Sequence, residues 1–96
     1  MKNKDEILKN RETILRIAQK HGAYNIRLFG SYATGTATPE SDVDLLVEVR
    51  EKHSPWFPGG LVVELQEILG IPVDIVTANG LNKNIKDHVL AEAIPL

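Results

Sequence analysis

The sequence predicts an α/β fold in a single domain that spans residues 1–96. Segments with helical periodicity alternate with short runs rich in Val, Ile and Leu, and turn-forming residues separate them. A chain of 96 residues, 43% of them apolar, can bury one modest core. We find no internal repeat, low-complexity tract or interdomain linker in it.

The first half of the chain predicts two helices and two strands. Residues 4–21 carry apolar side chains at helical spacing and predict an amphipathic helix, which is followed by a short strand over residues 26–29. Ser31 is expected to cap a brief helix that runs to about Thr34. After a loop rich in Gly, Thr, Pro and Ser, residues 43–49 give the clearest strand pattern.

The second half predicts one more strand between two helices. A loop over residues 51–60 leads into a helix over residues 61–69, and a third strand follows over residues 71–77. Residues 85–93 suggest a last helix that is stopped by Pro95. The apolar chain end is a candidate for contact with a partner, with docking on the helices as the alternative.

Composition excludes several classes of function. The net charge is −2 and no run of Lys or Arg is present, so we expect no direct contact with nucleic acid. The absence of cysteine excludes disulfides and thiolate metal sites. The first residues are polar and no apolar run approaches the length of a membrane span, so a cytoplasmic protein with no membrane partner is expected.

Three aspartates occupy strand positions where carboxylates are unusual. Asp42 and Asp44 flank Val43, so their side chains point to the same face at the start of the second strand, and Asp74 lies among apolar residues of the third. If these strands are neighbours, the three carboxylates converge, and hard oxygen ligands of this kind suit Mg²⁺ or Mn²⁺. The alternative is that the aspartates only cap turns or form structural pairs.

Gly30 and Ser31 favour the metal-site interpretation. A strand followed by Gly-Ser and a short helix is typical of a phosphate cradle, because glycine admits the anion and the helix start supplies N–H groups. A cation cluster beside an anion cradle indicates a site for a nucleoside triphosphate.

One spaced motif resembles the signature of the nucleotidyltransferase superfamily that includes DNA polymerase beta. It consists of Gly30-Ser31, ten further residues and then Asp42-Val43-Asp44. In its size the chain is most similar to the minimal nucleotidyltransferases, the MNT-type antitoxins that are encoded beside HEPN-domain toxins. The resemblance runs from the opening helix through PVDIVT to EAIPL, and Asp74 falls where the superfamily carries its third carboxylate.

This resemblance implies a mixed sheet of three to four strands with helices packed against it. It implies two Mg²⁺ ions, replaceable by Mn²⁺, held by Asp42, Asp44 and Asp74, and ATP as co-substrate with its phosphates gripped by Gly30 and Ser31. The implied reaction is transfer of AMP to a tyrosine hydroxyl of the partner HEPN ribonuclease toxin, which silences the toxin. Two alternatives are an antitoxin that acts by binding alone and a nucleotidyltransferase of small molecules.

The small size of the chain leaves no room for a domain that holds the acceptor, so a partner protein is expected to supply it. Trp56 and Phe57 are candidates for contact with that partner, with burial in the core as the alternative. Arg50 and Lys52 belong to a solvated loop or contact phosphates or the partner. No catalytic role is expected for the three widely spaced histidines, His21, His53 and His88.

Overall fold

The computed structural model describes residues 3–96 as a four-stranded mixed sheet with five α-helices. In chain order the elements are α1 (Lys4–Lys9), α2 (Arg11–Lys20), β1 (Ala23–Phe29), α3 (Ser31–Thr34), β2 (Val43–Val49), α4 (Gly59–Leu69), β3 (Val73–Thr77), a 3₁₀ turn (Ala78–Gly80), α5 (Lys83–Glu92) and β4 (Ile94–Pro95). The predicted α/β class and the mixed sheet are confirmed.

The strands lie in the order β3-β2-β1-β4. β1 is antiparallel to both of its neighbours, whereas β2 and β3 are parallel and are connected by the crossover helix α4. The start of β2, the start of β3 and the end of β1 therefore meet at one end of the sheet, and this end carries the aspartates and Gly30.

The predicted first helix is in fact two helices that meet at Asn10. The Asn10 side chain donates a hydrogen bond to the Glu6 carbonyl at 2.9 Å, and its backbone (φ −93°, ψ 10°) departs from the helical conformation. An asparagine side chain that bonds to the preceding turn competes with helix continuation. Ile7 of α1 and Ile14 of α2 are both fully buried, so each of the two helices contributes to the core.

The chain end forms a strand, so the alternative that it docks on the helices is wrong. Ile94 pairs with Leu28 and Pro95 pairs with Arg27, and the Leu96 amide donates to the Ile26 carbonyl at 2.9 Å. Proline fits here because an edge strand needs fewer N–H donors. The other elements differ from prediction only in their bounds: β1 begins earlier, α4 begins at Gly59, and β3 begins at Val73.

The two faces of the sheet differ in chemistry. One face packs against α1, α2 and α4 through alternate residues of β2, namely Val43, Leu45 and Val47, all at most 1% exposed. The other face carries Asp44, Leu46 and Glu48. Leu46 is fully buried and the 3₁₀ turn packs against β2. The middle of this second face is therefore covered, and polar side chains stand at its two ends.

Across residues 3–96, no helix has the length and apolar character needed to cross a bilayer.

Candidate functional site

Asp44 and Asp74 lie directly opposite each other in the parallel pair of β2 and β3. Neighbouring strands run about 4.8 Å apart, so the two carboxylates project from adjacent backbone positions. The same register places Val43 opposite Val73 and Leu45 opposite Ile75, which points both aspartates away from the core. This is the strand arrangement that the metal-site prediction requires of Asp74.

Asp42 precedes β2 by one residue and Asp44 by two. Asp42 and Asp74 are exposed, whereas Asp44 is half-buried between its neighbours. The group thus has one sheltered carboxylate at its centre and two that an incoming molecule can reach.

The electrostatics of this group favour a bound cation. Burial, together with the negative charges of Asp74 and Asp42, raises the pKa of Asp44 from 3.8 to about 6. A carboxylate that is partly withdrawn from water and repelled by two others is stabilised by any positive charge placed among them.

Gly30 brings the predicted cradle against the same carboxylate. Phe29 is the antiparallel partner of Asp44, so Gly30 follows immediately beside it. Gly30 has φ +74°, and a Cβ atom added there would collide with Asp44 Oδ2 and come within 3.1 Å of its Cγ. Only glycine combines this backbone conformation with so close an approach.

The helix after the cradle begins differently from the prediction. Gly30 occupies the cap position of α3, Ser31 is its first residue, and no side chain caps it, so the prediction that Ser31 is the cap is wrong. The Gly30 carbonyl accepts from the Ala33 and Thr34 amides at 3.0 and 3.1 Å. No hydrogen bond within residues 3–96 occupies the half-buried Ser31 hydroxyl, so it stays available to a ligand.

Two neighbouring residues have clear positions. Tyr32, which follows Ser31, is 2% exposed and belongs to the core, so its ring is not available to stack on a base. Arg27 pairs with Leu46, next to the pair of Phe29 with Asp44 on the same face of the sheet. It makes no ion pair with any residue from 3 to 96. Its place beside the site follows from the strand register, which the sequence alone does not give.

The three carboxylates fit a divalent cation in their chemistry, although their oxygen atoms are not arranged around a single position for an ion. Three carboxylates offer hard oxygen ligands, and the raised pKa of Asp44 shows that they interact. No three acidic or imidazole groups within residues 3–96 stand close enough together to form a finished metal site. Binding of an ion would therefore draw the three side chains inward.

The remaining candidates lie away from this site. His21 sits near the opposite end of the sheet, where its Nε2 is 2.8 Å from Glu64 Oε1 and its Nδ1 is 3.0 Å from Ser54 Oγ. Trp56 is 84% exposed, whereas Phe57 is half-buried against the core. Of the two aromatic residues proposed for partner contact, Trp56 is thus the one with a free side chain.

The sequence profile of the nucleotidyltransferase domain matches residues 10–96, nearly the whole chain. The chain belongs to the nucleotidyltransferase domain family. The prediction from the glycine-serine and aspartate motif is therefore confirmed at the level of family and enzyme class.

Relatives of this nucleotidyltransferase support the assignment. A Methanocaldococcus jannaschii protein, provisionally named as a protein adenylyltransferase, is 41% identical over 81 residues, which cover 84% of this chain and 87% of that protein. The protein adenylyltransferase MntA of Thermococcus cleftensis is 36% identical over 78 residues, covering 81% and 79% of the two chains.

Solved structures share the fold of this nucleotidyltransferase. A protein described provisionally as a minimal nucleotidyltransferase superposes with a TM-score of 0.88 at 39% identity, covering 99% of this chain and 97% of that one. A chain of a toxin–antitoxin complex with AMP-PNP gives a TM-score of 0.75 at 24% identity, covering 90% and 71%. A chain of the complex between a tri-AMPylated HEPN toxin of Shewanella oneidensis and an MNT antitoxin gives 0.58 at 23%, covering 97% and 67%. At these low identities the last two show the fold alone.

Proposed function

We propose that this nucleotidyltransferase transfers AMP from ATP to a hydroxyl of a partner protein, and that the partner is a HEPN toxin that is silenced when a tyrosine is modified. The observation that carries the proposal is the register that sets Asp44 opposite Asp74 and beside Gly30. This register brings three aspartates and the Gly30-Ser31 turn to the same end of one sheet.

Protein as the acceptor is supported by the relatives and by the shape of the site. Relatives at 41% and 36% identity are named protein adenylyltransferases. Asp42 and Asp74 are exposed, so an acceptor presented by another molecule can reach them. The MNT-type resemblance of the motif points to a HEPN toxin as that molecule.

Each residue of the site has a distinct role in this proposal. Gly30 and the Ser31 hydroxyl receive the phosphates of the donor, because glycine admits them close to the backbone and the hydroxyl donates a hydrogen bond. Asp42, Asp44 and Asp74 would hold two divalent ions, with Mg²⁺ as the usual metal. When bound, such ions would neutralise the charge of the triphosphate and lower the pKa of the acceptor hydroxyl.

The reaction is an in-line displacement at the α-phosphorus of ATP. The acceptor oxygen forms a bond to this phosphorus, the bond to the bridging oxygen of the β-phosphate breaks, and pyrophosphate leaves with that electron pair. The hydroxyl proton passes to a base, for which we propose Asp74, one of the two exposed carboxylates of the group. The protein contributes mainly positioning and charge neutralisation.

The proposal is tested by incubating the chain with Mg²⁺, labelled ATP and the protein encoded by the adjacent gene. Label in the α-phosphate is expected on a tyrosine of the partner, and label in the γ-phosphate is expected only in pyrophosphate. Asp44→Asn should abolish transfer, whereas Asp87→Asn, which alters an exposed carboxylate on α5, should not change it.

The other outcomes separate the alternatives. A stable complex with no transfer of label would indicate an antitoxin that acts by binding alone. Label that appears only on an added aminoglycoside would indicate a nucleotidyltransferase of small molecules. Full activity of Asp44→Asn would remove the carboxylate cluster from the mechanism altogether.

A further inference from the structure

The outer edge of β1 is only partly covered by the chain. β4 pairs with β1 at Arg27 and Leu28, and the Leu96 amide bonds to the Ile26 carbonyl. Within residues 3–96, no strand pairs with this edge along residues 23–25, where β1 begins. A strand edge with free N–H and C=O groups is a template for another extended segment.

A cleft of about 290 Å³ lies along this open edge. Its lining combines side chains of α2 with the beginning of β1 and the residue after β2, namely Leu15, Gln19, residues 23–26 and Arg50. Leu15 and Ile26 give it an apolar side that adjoins the core, while Tyr24 and Arg50 form its rim on the other face of the sheet.

Arg50 gives the cleft a positive charge. Its guanidinium carbon lies 4.7 Å from the centre of the Tyr24 ring, which is a cation–π arrangement. Glu48 lies on the same strand face but accepts a hydrogen bond from the Asn25 side chain instead. No carboxylate among residues 3–96 forms an ion pair with Arg50.

The backbone at the cleft is held in an unusual conformation. Asn25 has φ +54°, in the left-handed region that non-glycine residues seldom adopt, and the pairing of β1 with β2 is irregular between Tyr24 and Arg27. A bulge re-aims the side chains around it, and here Tyr24 is exposed whereas Ile26, two residues later, is buried. Here the irregularity coincides with the place where β4 ceases to cover the edge.

We propose that this edge cleft binds an extended peptide segment of a partner protein in which acidic and apolar side chains alternate. The peptide backbone would pair with residues 23–25, in line with β4. Its apolar side chains would pack toward Leu15 and Ile26, and a carboxylate on its other face would form paired hydrogen bonds with Arg50. Docking by strand addition takes its specificity from such alternate positions.

This cleft is separate from the nucleotidyltransferase site. It lies at the beginning of β1, whereas Gly30 and Asp44 lie at the end of that strand. Peptide binding is therefore measured without ATP, metal or transfer, and its failure would leave the proposed function untouched.

The test uses the full chain labelled with ¹⁵N and two short peptides, one alternating Val with Glu and one alternating Val with Lys. The Val-Glu peptide is expected to shift the amide signals of residues 22–26 and the Arg50 Nε signal. Arg50→Gln should weaken its binding about tenfold, the usual scale for loss of a charge-assisted hydrogen bond. Lys52→Gln removes an exposed cation outside the cleft and should leave affinity unchanged.

Three results would overturn the proposal. Equal affinity for the two peptides would remove the role of charge, and equal effects of Arg50→Gln and Lys52→Gln would remove the role of Arg50. Shifts of the same amides by inorganic phosphate alone, to the same extent as with the Val-Glu peptide, would show an anion site rather than a peptide site. The amide spectrum of each variant also reports whether it is folded.

Discussion

Replacing Asp44 with asparagine should stabilise the protein while it removes activity. The pKa of Asp44 is 3.8 in an ordinary setting and about 6 in the fold, because burial and the charges of Asp74 and Asp42 disfavour its ionised form. The folded state thus binds this proton more tightly than the unfolded state. The free energy of unfolding therefore falls as the pH rises from about 4 to about 6, and the full cost is present at neutral pH.

The size of the effect follows from the same values. A rise from 3.8 to about 6 corresponds to an upper bound of about 3 kcal/mol, at about 1.4 kcal/mol for each pH unit. Asp44 is partly exposed, and solvent screening reduces this bound, so we expect a gain of about 1 kcal/mol for Asp44→Asn. In a chain of this length such a gain raises the melting temperature by roughly 4–8 °C.

The assay is urea and thermal unfolding of wild type, Asp44→Asn and the control Asp87→Asn in EDTA, at neutral pH and at several values down to the ordinary aspartate pKa. The gain in the free energy of unfolding should appear for Asp44→Asn alone, and it should diminish as the pH falls from about 6 to about 4. A destabilised variant, or a gain that is the same at every pH, would refute the electrostatic reasoning. Added Mg²⁺ should stabilise wild type and not Asp44→Asn.

Three further predictions concern single side chains. Gly30→Ala should lower the free energy of unfolding more than Gly35→Ala does. Both glycines have positive φ, which costs an alanine about 1 kcal/mol, but only at Gly30 would the added Cβ also press on Asp44. Equal losses of the free energy of unfolding in urea would contradict this contact. Trp56→Ser should leave the melting temperature unchanged, since the side chain is 84% exposed, yet weaken the partner complex in calorimetric titration; unchanged affinity would exclude Trp56 from the interface. Hydrogen bonds from Lys20 and His21 lower the pKa of Glu64, so the Glu64 carboxylate stabilises the fold at neutral pH and this contribution is lost in acid. Glu64→Gln should therefore lower the melting temperature at neutral pH only. A lower melting temperature in acid as well would indicate a packing effect.

The sequence shows which residues of the candidate site are close along the chain, but it does not show which strands pair. Gly30, Asp42 and Asp44 lie within one short stretch at fixed spacing, so their relation is local and can be read from the chain. That Asp74 stands opposite Asp44 depends on the pairing of β2 with β3 through the α4 crossover. Local patterns do not specify such a register, because it is fixed by packing between distant segments.

The errors in the predicted fold have two origins. The break at Asn10 is local, because its side chain bonds to the preceding turn and competes with continuation of the helix. The brief strand at Ile94 instead exists only because the distant edge of β1 accepts it. The left-handed conformation of Asn25 has no sequence signal that separates it from other asparagines, and its side chain bonds to Glu48 on the neighbouring strand.

The opposition of Asp44 and Asp74 also makes the proposed site depend on a pairing between distant segments. The antiparallel β1–β2 pair joins strands that are near in the chain, whereas the β2–β3 pair is closed through the α4 crossover. A partly unfolded molecule that lacks this parallel pairing would keep Asp42 and Asp44 together without Asp74. Under the proposed function we expect such a molecule to be inactive.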